Sequence, residues 1–413
     1  MKLLVFAHTP PPHHGQSYMV YLMLNGFGGD RRKSADPSAA EADRHGITCY
    51  HVNAQISSDL ADIGDFRFGK LFLLLGYCLQ AIWCRFRYGV TTLYYVPAPG
   101  KRSALYRDWL VMMICRPFYP KIILHWHAAG LANWLETVAR IQTRSLTYRF
   151  LKKVDLSIVL SNFNKVDADK LLPKDVAVVA IGIPDPCQNF NTEILPRRTG
   201  RIAARIKLQA GEPLNEAELQ YSEGHPEIVR VLYLAHCMRD KGLFDTLEGV
   251  VLANKQLSGT KSPLRLQLTI IGAFVSKAEE AEFQNRVEEL GAKEIVRCLG
   301  FVTTEEKNKN LAEADLFCFP TYYSAENQPG NLIESMAFGL PSITTRWRSI
   351  PEMLPDGYTA LVAPKSPREV AQTLCGVLLE NPCQALREHF LRNFTLEQHI
   401  KGMAEAIHRL EKA

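Results

Sequence analysis

Two glutamates, Glu326 and Glu334, are separated by seven residues in the segment PTYYSAENQPGNLIESMAFGL, residues 320–340. A strand pattern ends just before this segment, so Glu326 is expected on a loop and Glu334 in the first turn of a short helix. Carboxylates in such places accept hydrogen bonds from hydroxyl groups, and sugar or ribose hydroxyls are natural donors. The same spacing would also fit two surface glutamates of an ordinary strand–loop–helix.

The start of that short helix is a predicted anion site. The backbone N–H groups of Gly330, Asn331 and Leu332 have no partner within the helix, and the helix dipole favours negative charge at this end. A diphosphate bound there would have Glu326 on one side and Glu334 on the other. The arrangement therefore suits a nucleotide sugar, whose two sugars flank its diphosphate.

A basic loop follows another strand pattern, at residues 229–235. It carries His236, Arg239 and Lys241, and cations there could neutralise a pyrophosphate held at a facing helix start. For Arg239 alone, a solvated basic turn is the favoured interpretation.

Together these motifs resemble the retaining, GT-B-fold glycosyltransferases of family 4, a group that includes bacterial mannosyl- and glucosyltransferases. Lys241-Gly242 resembles the phosphate-binding K-G of that family, and Gly300-Phe301-Val302 resembles its loop near the nucleotide base. Glu326 and Glu334 match its E-x7-E motif. The resemblance implies that Glu326 contacts the hydroxyls of the donor sugar and that Glu334 holds the ribose.

The first half of the chain carries two looser matches. Gly15 ends the loop after the first predicted strand, where the family often has two adjacent glycines and this chain has His14-Gly15. His125-Trp126-His127 resembles an H-x-H segment whose second histidine lies beside the donor sugar. His127 is therefore a candidate site residue, and His125 is expected to be structural.

Two features depart from the family pattern. Many members have an arginine five residues before the K-G lysine, where this chain has His236, so either His236 or Arg239 contacts the diphosphate. Residues 195–227 are longer than the usual link between domains, and their sequence looks polar and irregular.

Apolar, β-rich runs alternate with longer amphipathic runs, which predicts parallel sheets covered by helices. The predicted strands are residues 3–7, 48–52, 91–96, 121–125, 156–161 and 176–181 in the first half, and 229–235, 266–271, 295–299, 316–319, 342–345 and 360–362 in the second. The predicted fold class is α/β with GT-B architecture, in which two doubly wound, Rossmann-like domains face a central cleft. Residues 1–188 would form the acceptor-side domain, with the C-terminal helix 396–413 packing back on it, and residues 189–395 the nucleotide-sugar domain. Ligands of such sheets bind at the carboxyl ends of the strands.

Charge and cysteine usage limit the kinds of partner and cofactor that the sequence predicts. The net charge of +5 is too small to require a nucleic-acid partner. Residues 1–190 hold 22 basic and 14 acidic side chains and the remainder 26 and 29, so only the first half would face a polyanion. The ten cysteines form no C-x-x-C, and the D-x-D at residues 167–169 is interpreted as a solvated charged face. No metal or other cofactor is therefore expected.

The most apolar uncharged segment is Leu71–Cys84, whose 14 residues are too few to span a bilayer. Arg67, Lys70, Arg85 and Arg87 flank it, so it is either an interfacial helix on an anionic membrane or a core helix with solvated ends. For the second apolar segment, 109–115, the core interpretation is favoured. The N-terminal apolar stretch is too short for a signal peptide, so a cytoplasmic location is expected, peripheral to the membrane if the helix binds lipid.

These features predict transfer of a sugar from a nucleotide diphosphate sugar to a hydroxyl of a carbohydrate or lipid-linked acceptor. The resemblance implies retention of configuration and a place in bacterial polysaccharide or glycolipid assembly. Two alternatives stay open: another enzyme on the same fold, such as a nucleotide-sugar epimerase, and a sugar-binding scaffold with a decayed site. Donor hydrolysis across a panel of nucleotide sugars distinguishes all three.

Overall fold

The computed structural model describes residues 1–11, 15–33, 45–55 and 68–412. His14, Arg67 and much of the polar loop expected after Gly28 lie outside the described residues. The chain divides into two compact units, residues 1–183 with 394–413, and residues 184–393. The division falls within the Gly- and Pro-rich turn at 182–186, five residues before the boundary expected from the sequence.

The first unit contains a six-stranded parallel sheet in the order β2-β1-β3-β4-β5-β6. With elements numbered in chain order, its strands are β1 (Lys2–Phe6), β2 (Thr48–Val52), β3 (Thr92–Tyr95), β4 (Lys121–Trp126), β5 (Leu156–Val159) and β6 (Asp175–Val178). Its helices are α1 (Gly15–Gly26), α2 (Phe68–Tyr88), α3 (Arg102–Cys115), α4 (Leu131–Thr137), α5 (Ile141–Leu151), α6 (Lys165–Asp169) and the C-terminal α15 (Leu396–Lys412).

Both faces of this sheet are buried, which explains why its strands are continuous apolar runs. Leu4 and Phe6 of β1 belong to a hydrophobic cluster with α2 and α3, whereas Leu3 and Val5 belong to a second cluster with α1 and α15. Successive residues of a strand point to opposite faces, so apolar side chains are needed at consecutive positions. The C-terminal helix α15 is therefore part of the core of the first unit.

The second unit contains a six-stranded parallel sheet in the order β12-β11-β10-β7-β8-β9. Its strands are β7 (Ile228–Leu234), β8 (Arg265–Ile271), β9 (Val296–Gly300), β10 (Leu316–Phe319), β11 (Ser342–Thr345) and β12 (Leu361–Val362). Its helices are α7 (Leu195–Ala210), α8 (Glu216–Tyr221), α9 (Leu243–Gly259), α10 (Lys277–Glu289), α11 (Thr304–Glu313), α12 (Gly330–Ala337), α13 (Pro367–Gly376) and α14 (Cys383–Asn393). All twelve predicted strands are present, with ends within three residues of those expected, and the predicted α/β class is confirmed.

The interpretation of residues 195–227 as irregular is wrong, because α7 and α8 lie within them. The buried face of α7 consists mainly of Arg198, Arg201 and Arg205, with Ala204 the one apolar side chain among them. Arg198 donates to the carbonyl of Leu311, 2.8 Å away, and Arg201 to that of Glu313 at 2.6 Å. The three arginines follow helical spacing, but a pattern that counts only apolar side chains does not detect them.

Asp315 provides the carboxylate for this arginine cluster. Its side chain is buried, lies 2.6 Å from the Arg205 guanidinium and 3.5 Å from that of Arg201, and accepts the Arg230 N–H at 2.8 Å. Burial alone would raise the pKa of Asp315, but Arg205, Arg201 and the Arg230 N–H hold this pKa below its usual value. The buried charges of Arg201 and Arg205 are therefore compensated by Asp315, and Arg201 has a second, exposed partner in Glu223, 3.2 Å away.

We expect Asp315→Ala to destabilise the protein by about 3–5 kcal/mol, because it leaves the buried Arg205 guanidinium without a counter-charge and Arg201 with only the exposed Glu223. Thermal unfolding measures the loss. Glu313→Ala, which removes a more exposed carboxylate from the same segment, is the control and should change stability by less than about 0.5 kcal/mol.

The pH dependence follows from the lowered pKa of Asp315. The wild type should exceed Asp315→Ala in stability by the full amount above pH of about 4, the pKa of an aspartate in an unfolded chain. This difference in stability should be lost as the pH falls through the folded-state pKa of Asp315. An Asp315→Ala variant as stable as the wild type at pH 7 would show that the cluster does not depend on this carboxylate.

Candidate functional site

Most candidate residues of the second unit lie on the loops after two neighbouring strands, β7 and β10, or in α12, which follows the second of these loops. Backbone carbonyls after β7 accept hydrogen bonds from the segment after β10: the Tyr322 N–H donates to the Asp240 carbonyl at 2.8 Å, and the Asn331 amide donates to the Leu234 carbonyl at 2.5 Å. Because both strands end at the same edge of a parallel sheet, residues far apart in sequence meet here.

Lys241 and Glu326 form an ion pair at this edge. The Lys241 Nζ lies 2.6 Å from Glu326 Oε2, and Thr321 Oγ1 donates to the same oxygen at 3.1 Å. The lysine and glutamate side chains are only 16% and 8% exposed, and the ammonium lies 4.7 Å from the centre of the Tyr323 ring. The structure thus brings together the residues predicted to contact the phosphate and the donor sugar.

Glu334 also has a lysine partner, which the sequence analysis did not identify. Lys307 of α11 donates to Glu334 Oε1, and the two side chains are 25% and 21% exposed. Each glutamate of the E-x7-E motif is therefore paired with a lysine from another element. Carboxylates paired in this way can lie near an anion with less repulsion.

The start of α12 offers two backbone donors instead of the expected three. Pro329 precedes the helix without a side-chain cap, and among the described residues the N–H groups of Gly330 and Asn331 have no hydrogen-bond acceptor. The Leu332 N–H, by contrast, donates to Asn331 Oδ1 at 2.9 Å. The prediction that Leu332 supplies a free N–H is therefore corrected, because this N–H contacts both the Asn331 side chain and, at 3.2 Å, the Pro329 carbonyl.

The glycine of Lys241-Gly242 is required by the backbone. Gly242 has φ of +80°, and a Cβ there would lie 2.4 Å from the Pro320 carbonyl oxygen. Only glycine lets the loop after β7 approach the loop after β10 this closely. This approach places Lys241 beside Glu326.

His236 and Arg239 are the two candidates for the diphosphate contact. In the structure the Arg239 side chain binds other residues. Its guanidinium lies 2.5 Å from Glu282 of α10 and 3.9 Å from the centre of the Phe244 ring. His236 is exposed, and its pKa lies below the usual value because of partial desolvation and the nearby charge of Lys241. A neutral imidazole near Lys241 can accept or donate a hydrogen bond without adding charge.

Gly300 and Phe301 end β9 and begin the next loop. Gly300 accepts the Gly272 N–H at 2.9 Å, which ties the loop to the end of β8. The Phe301 side chain is 89% exposed, so its ring faces are available to a planar ligand. α11, which carries Lys307, begins three residues further along the chain.

In the first unit, Gly15 begins α1 and His127 follows β4. His127 is half-buried, and its ring centre lies 4.2 Å from that of His125. His125 is buried, pairs through Nδ1 with the Tyr94 hydroxyl at 2.6 Å, and has a pKa well below the usual value, chiefly because of desolvation. His125 therefore has the position of a core residue.

The interpretation of the D-x-D as a solvated face is wrong for Asp167. Its carboxylate is buried and accepts the N–H groups of Gly130 and Ala132 at 2.8 and 2.7 Å. It thereby satisfies the start of α4 and holds the loop that follows His127. Asp169 alone is exposed. Among the residues that the structure describes, no three His, Cys, Asp or Glu side chains are grouped so that they could hold a metal ion.

Sequence reasoning missed Lys307 and Thr321, although both touch a predicted carboxylate. Lys307 lies in the sequence TEEKNKN, which is typical of any solvated helix, so no local signal distinguishes it. Thr321 lies within the E-x7-E segment, and its hydroxyl could have been proposed as a partner for Glu326.

Comparison with known proteins shows that this chain is similar to glycosyltransferases. Residues 229–380, which include all the second-unit candidates, match the family model for Glycosyl transferases group 1. The chain is 24% identical over 337 residues to the amylovoran biosynthesis glycosyltransferase AmsK of Erwinia amylovora, covering 80% of this chain and 77% of the relative. It is 32% identical over 127 residues to the MMP alpha-(1->4)-mannosyltransferase of Mycolicibacterium hassiacum, covering 30% of each.

The fold is shared with solved glycosyltransferase structures. Anabaena Alr3699/HepE, solved in complex with UDP and glucose, superposes with a TM-score of 0.63 at 14% identity, over 99% of this chain and all of the other. At this identity the match shows the fold, which is GT-B as predicted.

We expect Gly242→Ala to displace the loop that carries Lys241, because its Cβ would contact the Pro320 carbonyl and its φ would be unfavourable. Gly291→Ala is the matched control, since Gly291 also has positive φ but nothing lies within 4 Å of an added Cβ. The control should lose about 1–2 kcal/mol of stability from φ alone, and Gly242→Ala clearly more, by thermal unfolding. Equal losses would refute the close approach.

Proposed function

We propose that this chain, with its glycosyl transferases group 1 domain at residues 229–380, transfers a sugar from a nucleoside diphosphate sugar to an acceptor hydroxyl. The observation that carries the proposal is the contact between Lys241 and Glu326, beside the start of α12. It combines a cation for phosphate and a carboxylate for sugar hydroxyls at one sheet edge.

The departing diphosphate would be stabilised by Lys241 and by the N–H groups of Gly330 and Asn331. Negative charge grows on the leaving group during transfer, and fixed donors aimed at it lower the barrier. These groups would stabilise the negative charge without a metal ion, so we propose that the reaction needs no metal. His236 is proposed to contact the diphosphate, since Arg239 is paired with Glu282.

The two glutamates would bind the two sugars of the donor. Glu326 has Lys241 and Thr321 on Oε2, which leaves Oε1 for hydroxyls of the transferred sugar. Glu334 would accept the ribose hydroxyls through Oε2. The exposed ring of Phe301 would stack on the base, since every base has a π-face.

We propose that transfer retains the anomeric configuration, as the resemblance to family 4 implies. Glu326 is interpreted as a ligand of sugar hydroxyls and not as a nucleophile, so we favour same-face transfer assisted by the leaving group. From the first unit, His127 and Gly15 are the residues proposed to contact the substrates. The Erwinia relative is named for amylovoran biosynthesis, which supports a role in bacterial polysaccharide or glycolipid assembly.

We also propose that the first unit works at an anionic membrane surface. Phe72, Leu79, Trp83 and Phe86 are exposed on α2 and share one helical face, since their spacing keeps them within about 60°. The opposite face of α2 packs in the core through Leu74, Cys78, Ala81 and Cys84. The segment 109–115 lies in α3 and packs its apolar side chains largely into the same core.

Charge supports the same proposal. Residues 68–121 hold eight lysines and arginines and a single acidic residue, Asp108. Asp108 is buried, accepts a hydrogen bond from the Tyr95 hydroxyl and pairs with Arg107 at 2.8 Å, so it compensates one of these eight charges. An apolar stripe with basic surroundings suits an anionic lipid interface. No helix among the described residues has the length and apolarity needed to cross a bilayer.

Substitutions at the Lys241–Glu326 pair test the transferase proposal. We expect Lys241→Met to lower the rate of sugar transfer at least about tenfold, because the negative charge on the leaving group is no longer stabilised by the ammonium. Glu326→Gln should lower the transfer rate while nucleoside diphosphate affinity stays within about threefold, since its ligand is the sugar. The measurements are donor hydrolysis and transfer across UDP-, GDP- and ADP-sugars, with Lys255→Met, on the exposed side of α9, as the control.

EDTA should leave wild-type activity unchanged. Strict dependence on an added divalent metal would refute the proposed stabilisation of the leaving group. Conversion of the donor into another nucleotide sugar would identify an epimerase, and release of no product from any donor would identify a scaffold.

Co-sedimentation with liposomes tests the membrane proposal. Wild type should bind anionic liposomes at low salt and lose binding at high salt, since each basic residue near the surface contributes about 1 kcal/mol. Neutralising Arg67, Lys70, Arg85 and Arg87 should abolish most binding. Trp83→Ser with Phe86→Ser should do the same, whereas Val275→Ser, at an exposed site in the second unit, should not. A wild type that stays in the supernatant would indicate a soluble acceptor.

A further inference from the structure

We propose that Lys307 is a positioning residue, which fixes the carboxylate of Glu334 so that it can accept the ribose hydroxyls of the donor. The inference rests on the proposed function of the same site and assigns a role to a residue outside its motifs.

The contact itself is specific. Lys307 reaches Glu334 from a different helix, and its ammonium donates to Oε1, which leaves Oε2 available. Both side chains are about three-quarters buried, so solvent screens their attraction less than at an open surface. Among the described residues, Glu334 is the only hydrogen-bond acceptor of this ammonium.

The position of Lys307 is set by the start of its helix. Thr303 and Glu306 form a capping box: the Glu306 N–H donates to Thr303 Oγ1 at 3.2 Å, and the Thr303 N–H donates to Glu306 Oε2 at 3.1 Å. Lys307 is the next residue. The cap fixes the first turn of α11, so the lysine approaches Glu334 from a defined point, directly after the loop of Gly300 and Phe301.

Charge explains why Glu334 needs such a partner. Glu334 lies four residues after Gly330, which is a rise of about 6 Å along α12. A diphosphate at the start of α12 would be repelled by an uncompensated carboxylate at that distance. The Lys307 ammonium reduces this repulsion and holds the carboxylate in one orientation.

If Lys307 acts through Glu334, its replacement should weaken the recognition of the ribose hydroxyls in particular. The affinity for UDP and for GDP is measured by calorimetry beside that for the 2′,3′-dideoxy analogue of each. The ratio of the two affinities reports the hydroxyl contacts alone, because base and diphosphate are unchanged. A purely structural role would weaken both ligands and leave the ratio unchanged.

We expect Lys307→Met to reduce this ratio at least about threefold for the nucleotide that the wild type binds, as residues in one network are coupled. Lys307→Arg should restore most of it. In the Glu334→Gln background, Lys307→Met should have no further effect on the ratio. Lys309→Met is the control, because Lys309 lies on the same helix, is 72% exposed and lies 3.9 Å from Glu313.

The outcomes separate this inference from the proposed function. If wild type discriminates against the dideoxy ligand and Lys307→Met discriminates equally well, the inference is overturned and the proposed function stands. If the wild type binds none of UDP, GDP and ADP in the same assay, both the inference and the proposed function are overturned. Thermal unfolding accompanies each variant, and Lys307→Gln replaces Lys307→Met if that variant does not fold.

Discussion

The ion pair between Lys241 and Glu326 is the interaction on which the site depends. It joins the loop after β7 to the loop after β10 at 2.6 Å, and it forms only because Gly242 lets the backbone reach the Pro320 carbonyl. The pair also places opposite charges where a donor has both phosphate and hydroxyls. A parallel sheet makes this possible because it collects the ends of distant strands at one edge.

The positions of the strands could be predicted because buried parallel strands are continuous apolar runs with few alternatives. The E-x7-E glutamates and the K-G lysine could be predicted because each lies where a strand pattern changes into a helix. Lys307 could not, because its role depends on the distance between α11 and α12, to which a charged helix sequence gives no clue. Asp167 was misinterpreted for a related reason: its partners, the N–H groups of Gly130 and Ala132, are distant in sequence.

The arginines of α7 show how a second layer supports the site. Arg198 and Arg201 donate to the carbonyls of Leu311 and Glu313 at the C-terminal end of α11, where the helix dipole favours positive charge. The other end of α11 is held by its capping box. Both ends of the helix that presents Lys307 are thus fixed by side-chain hydrogen bonds, and the arginines on which one end depends lie in a segment that looked irregular in sequence.

The return of the chain to the first unit has a consequence for synthesis on the ribosome. Residues 184–393 are complete before α15 is made, whereas the cluster around Leu3, Val5 and Met23 is closed only by Ile400, Met403 and Ile407 of that helix. The N-terminal unit must therefore wait with one face of its sheet covered by α1 but not by α15, while the whole of the second unit emerges and can fold. In this chain the order of translation is the reverse of the order in which the two cores can be completed.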